Sequence, residues 1–132
     1  MCIRDSMENT PKSKIEAYIK AYNSFDIEGM TKDLADDVIF ENVSNGNVDL
    51  RTEGLAAFTE QAKVATQYFK QRKQTIESWT LQDSIVEIGI SYQAILAIDL
   101  PNGLKVGDTL ELTGTSIFKF SDGKIKHITD KS

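Results

Sequence analysis

Residues Ser116–Asp130 read SIFKFSDGKIKHITD, and their alternation decides how the rest of the chain is organised. Ser116, Phe118 and Phe120 fall on one face of an extended segment. Asp122-Gly123 then supplies the residue pair that a tight hairpin turn needs, and Lys124–Thr129 resumes with period two. Working upstream, the same period runs through Leu104–Phe120, Ile85–Ile98 and Lys73–Leu81, with joints at Pro101-Asn102-Gly103 and Gln82-Asp83. Four strands joined by short turns predict an antiparallel meander.

The first half of the chain has a different period. Ile15, Tyr18, Ile19 and Tyr22 recur at i, i+3, i+4 and i+7, one face of a helix, with Ser13 and Glu16 placed as a capping box. Asp26 precedes Ile27, Met30 and Leu34 and predicts a short second helix ending near Ala35. Leu55, Phe58, Ala62, Ala65 and Phe69 predict a third helix of about five turns. Between the last two lies ADDVIFENVSNG, residues 35–46, in which Val38–Val43 is β-branched and aromatic enough for a strand and SNGNVD breaks it into a loop. Asn42 shares a face with Val38 and Phe40, which points an amide inward, whereas Glu41 faces solvent.

Helices first and a meander after predict an α+β fold, with three N-terminal helices covering one face of a curved, mainly antiparallel sheet and enclosing a pocket. The chain has 132 residues, enough for one core, and a single domain is expected over 13–132. Residues 1–12 read as a leader. MCIRDS at its start resembles translated adapter sequence, with the natural start at Met7.

Net charge is −5, from 15 Lys and Arg against 20 Asp and Glu, which repels nucleic acid and anionic lipid surfaces. The one basic cluster, FKQRKQ at 69–74, reads as a solvated element end. Cys2 is the only cysteine and His127 the only histidine, so neither an internal disulfide nor a zinc cluster is expected, and no motif calls for a cofactor. No apolar run approaches the ~20 residues that cross a bilayer, and no signal-peptide pattern opens the chain, so a cytoplasmic protein is expected.

YIKAYNSFD, LADDVIFENVSNG, the TEGL helix start and SIFKFSDGKIKHITD, in that order, resemble the nuclear transport factor 2-like superfamily in its bacterial SnoaL-like branch. The resemblance covers about Ser13 to Asp130. It implies a conical barrel, often dimeric through the outer sheet, with a pocket between helices and sheet. A more distant similarity to ketosteroid isomerases places their oxyanion-donating tyrosine on Tyr18, their base on Asn42 and their second oxyanion acid on Ser116. An amide cannot take the place of that base, because it has no basic site near neutral pH. The polyketide cyclases of the branch carry an acid or base near the end of the last strand, and Asp130 matches it. The epoxide hydrolases of this fold use an arginine between two aspartates, and no arginine follows Arg72.

Tyr18, Asn42 and Asp130 are therefore the candidate catalytic groups, and Phe40, Phe58, Trp79, Tyr92, Ser116 and Phe118 the candidate ligand contacts. Each has a plainer reading: Tyr18, Trp79 and Tyr92 as core, Asn42 as a turn partner, His127 as a partly exposed strand residue, Asp130 as a solvated tail acid. Two functions follow. The first is a binding protein whose apolar pocket holds a small carbonyl- or hydroxyl-bearing molecule through neutral polar groups. The alternative is a cofactor-free isomerase, cyclase or hydrolase with Asp130 as acid/base and Tyr18 as donor, which requires Asp130 to lie inside the cavity. A homodimer is expected from apolar residues on the second sheet face, among them Ile95, Ala97 and Ile117.

Overall fold

The computed structural model describes residues 10–100 and 103–131. The leader through residue 9 and the Pro101-Asn102 joint lie outside the described residues.

Helix α1, Pro11–Asn23, starts two residues before the expected Ser13. Pro11 at its first position forces Thr10 into an extended conformation, and Thr10 Oγ1 then accepts from the Ser13 amide at 3.1 Å. Asp26 caps helix α2, Ile27–Thr31, by accepting from the Gly29 amide, as expected. That helix ends early because the chain is already extended at Leu34, where strand β1, Leu34–Ser44, begins.

The expected loop after Val43 is instead a hairpin. Asn45 and Gly46 both take positive φ, 53° and 81°, the geometry of the two-residue turn that matches strand twist, and β2, Asn47–Glu53, follows. Its side chains are mostly exposed, so no buried stripe marks it in the sequence. Helix α3, Leu55–Thr66, is shorter than expected because the chain turns at Tyr68 and enters β3, Phe69–Gln82. The meander continues with β4, Ile85–Leu96, β5, Thr109–Ser121, and β6, Lys124–Lys131. β5 starts later than Leu104 because the preceding segment is tied as a loop, with Asp99 and Asp108 side chains accepting from the Val106 and Lys105 amides.

The six strands form one mixed sheet in the order β2-β1-β6-β5-β4-β3. Every neighbouring pair is antiparallel except β1 with β6, which pair in parallel and bring the first strand against the last. Helices α1 and α3 cover one face. Ile15, Tyr18, Ile19, Phe58 and Ala62 from the helices, each under 10% exposed, pack with Val38, Ile88, Phe118, Ile125 and Ile128 from the strands. Each fully buried aliphatic or phenyl group contributes roughly 1.5–3 kcal/mol of transfer free energy, so this one layer dominates stability. Leu55 packs at the margin of the same cluster, so α3 presents the expected face.

Candidate functional site

A cavity of about 450 Å³ lies between the helices and the inner sheet face, lined among others by Tyr18, Phe40, Asn42, Phe58, Tyr92, Ser116 and Asp130. Asn42, the inward amide of ADDVIFENVSNG, is explained by its register. In the parallel β1–β6 pair it stands directly opposite Asp130, and in the antiparallel β5–β6 pair Asp130 stands opposite Ser116. Three polar side chains therefore sit abreast on three neighbouring strands, in a wall that is otherwise largely apolar.

Ser116 Oγ donates to Asp130 Oδ1 at 2.6 Å, a short, charge-assisted contact. Asp130 as a residue is half-buried, yet burial of its carboxyl group pushes the pKa from 3.8 up to about 6, with the Ser116 hydrogen bond pulling the other way. The group exists in both forms near neutral pH, as an acid/base residue must. The plainer reading of Asp130 as a solvated tail acid is thereby corrected.

Tyr18 comes from α1, packs edge-on against Phe118 with ring centroids 5.8 Å apart, and lines the cavity. Its hydroxyl takes no hydrogen bond among the described residues. Burial above all, then the charge of Asp130 and the neighbouring Tyr22, hold its pKa well above the ordinary value, while Arg72 acts in the opposite sense. The phenol is thus a permanent donor. Tyr92 bonds Tyr22 through their hydroxyls at 3.2 Å, and burial raises its pKa too. Phe40 and Phe58 meet edge-on at 5.7 Å and form an apolar side of the cavity.

Two expected contacts lie elsewhere. Phe118 is fully buried in the core beneath Tyr18, and Trp79 packs at the core margin with the Lys12 ammonium 4.9 Å from its ring centroid. Phe118 shares the parity of lining residues and Trp79 is brought to the same face by the bulge between Ile76 and Ser78, but neither reaches the cavity. Glu41, expected to face solvent, is held on the outer face by His127 Nε2 at 2.8 Å and Arg51 Nη1 at 2.9 Å. The His127 hydrogen bond is the main reason its carboxyl titrates below the ordinary value.

The larger correction concerns FKQRKQ. Arg72 is not a solvated strand end but 4% exposed, and it lines the cavity. Its Nε donates to the Tyr22 carbonyl at 2.8 Å, and its guanidinium carbon lies 3.7 Å from the Tyr22 ring centroid and 4.6 Å from that of Phe25. Strand parity was the available signal, since Arg72, Gln74 and Ile76 alternate along one face of β3. A second hollow, of about 490 Å³, lies on the other side of Arg72 among Asn23, Gln71, Lys73 and Gln93, and contains none of the expected site residues.

Among the described residues no cluster of His, Cys, Asp and Glu could hold a metal ion, and no helix is long and apolar enough to cross a membrane. Comparison with curated proteins by sequence finds no match. Among solved structures, a candidate polyketide cyclase from Xanthomonas campestris superposes with a TM-score of 0.77 at 23% identity, over 92% of this chain and 88% of that one. TerC, crystallised with polyporic acid, superposes with a TM-score of 0.72 at 19% identity, over 90% and 88%. A protein of ketosteroid isomerase-like fold from Catenulispora acidiphila gives a TM-score of 0.74 at 13% identity, over 92% and 85%. At these identities the likeness establishes the fold. A family profile described as a SnoaL-like domain matches residues 15–128, nearly the whole described chain. With three helices laid on a six-stranded mixed sheet of nuclear transport factor 2-like topology and that profile spanning it, this chain belongs to the SnoaL-like domain family.

Proposed function

We propose that the protein is a cofactor-free acid/base catalyst acting on a small, largely apolar molecule that bears a carbonyl or hydroxyl group. The observation that carries this reading is Asp130, a carboxyl raised to about 6 inside a cavity and hydrogen-bonded by Ser116. In its ionised form Asp130 takes a proton from a carbon next to the ligand carbonyl. The Tyr18 hydroxyl, protonated throughout the physiological range, donates to the carbonyl oxygen as enolate charge develops there. Protonated Asp130 then returns the proton at the same or another carbon, which is isomerisation or the proton-transfer part of a ring closure. Asn42, beside Asp130, orients the ligand by donating or accepting without ionising. The polyketide-cyclase and polyporic-acid structures that share the fold support a cyclic, oxygenated ligand. In this reading the sheet wraps the ligand as a conical barrel, and two copies associate through the outer sheet face.

A second reading is a binding protein without chemistry, favoured by the Asn42 amide, which has no hydrogen-bond partner among the described residues and lines the cavity. Incubation of 2-tetralone with the protein in D₂O separates the two. Catalysis predicts deuterium uptake next to the carbonyl that rises with pH through about 6 and disappears in Asp130→Asn. Binding of the ketone with no accelerated exchange would select the second reading instead.

A further inference from the structure

Arg72 carries a charge for which the described residues provide no ion-pair partner. It is 4% exposed, and among the described residues no carboxylate pairs with it. Its contacts are a backbone carbonyl, two aromatic faces and a weak one from Nη2 to the Met30 sulfur at 3.9 Å. Nη1 takes no hydrogen bond among the described residues. A guanidinium taken out of water in this way gains stacking but leaves most of its charge uncompensated.

Asp130 is not the missing partner. It lies on β6 and Arg72 on β3, three strand spacings apart, roughly 14 Å along the sheet. Arg72 is also not among the groups that set the Asp130 carboxyl. The cation's field does enter the cavity, since it acts on both the Tyr18 and Tyr92 phenols. A second observation marks the same end. Gln74, two residues along the same face of β3, also lines the cavity, and its side-chain oxygen is buried without a hydrogen-bond partner. A buried fork of donors next to an amide with no internal partner, free to turn its nitrogen toward a ligand, is a built place for a polar group that the described residues do not supply.

We propose that the Arg72 end of the cavity binds the carboxylate of the ligand, so that the molecule taken up is an aromatic or alicyclic carboxylic acid. Arg72 receives the carboxylate, the Gln74 side-chain amide nitrogen donates to it, and the apolar body lies along Tyr22, Phe69 and Tyr92 with its far edge toward Tyr18 and Asp130. This deepens the proposed function and rests on the cavity being the ligand site. Arg72 acts here in binding and selectivity and takes no part in proton transfer.

Isothermal titration of the full chain with 2-naphthoate and with methyl 2-naphthoate tests it. The acid should bind at least about tenfold more tightly than the ester, the worth of one hydrogen-bonded charge contact. Arg72→Gln should erase the preference. So should Gln74→Glu, which leaves the packing of Arg72 in place and supplies an internal anion beside it, so a folding failure of the first variant does not spoil the test. Lys73→Gln, which alters only the second hollow, should leave the preference intact, and its loss there would overturn the assignment. Equal binding of acid and ester to the unaltered protein overturns the inference and leaves the cavity reading standing. Binding of neither overturns both.

Discussion

Replacing Asp130 by Asn tests the electrostatics of the site without reference to any substrate. A carboxyl whose pKa is higher in the folded than in the unfolded chain makes folding bind a proton, so its contribution is most favourable below the unfolded value and is lost as pH rises through the folded value. For Asp130 those limits are 3.8 and about 6. At ~1.4 kcal/mol per unit of pKa difference the loss between pH 4 and 7 is at most about 2.4 kcal/mol, and solvent screening of a half-buried residue brings it to about 1 to 2 kcal/mol. Asn has the same shape and does not ionise. The unfolding free energy of the wild type relative to Asp130→Asn should therefore fall by about 1 to 2 kcal/mol across that window and be level above it. The altered hydrogen bond to Ser116 shifts the whole difference up or down but leaves its pH dependence unchanged, which is why the slope is the quantity to measure. Urea unfolding at half-unit pH steps suffices. Parallel pH profiles for the two proteins would show that the carboxyl titrates as if in water, and the acid/base role would fall with it.

Phe58→Ala removes a ring 4% exposed that packs on Phe40, and should destabilise the protein by about 3 to 4 kcal/mol in urea; a loss below about 1 kcal/mol would mean that the ring is not buried. Asn42→Asp sets a second carboxyl directly opposite Asp130, so the pair should titrate in two separated steps, the upper one above the wild-type value of about 6, when followed by carboxyl NMR. A single unshifted titration would place the two side chains apart. Light scattering at micromolar protein should return twice the chain mass of 14.7 kDa if the outer sheet face pairs two copies, and a monomer mass would exclude that pairing.

The α+β class and the element order were legible in the sequence because they rest on local physics. Period 3.6 in Ile15, Tyr18, Ile19 and Tyr22 and period two in Ser116–Asp130 each record which face of an element is buried, whatever it is buried against. The Asp26 cap and the Asp122-Gly123 turn were legible for the same reason, since each is satisfied within a few residues of chain. β2 escaped because an exposed edge strand has no buried face to leave a pattern. The parallel pairing of β1 with β6 could not be read locally either: Asn42 and Asp130 meet across 88 positions of sequence, and only the closure of the sheet sets them abreast. Parity placed Phe118 on the right face but said nothing about depth, which depends on the helix above, and Trp79 reaches the inner face only through the bulge between Ile76 and Ser78, which no local pattern announces. Arg72 shows the limit most clearly. In sequence it sits in a basic run that water would solvate, and only the packing of Tyr22, Phe25 and Met30 over β3 takes its charge out of water and turns it toward the cavity.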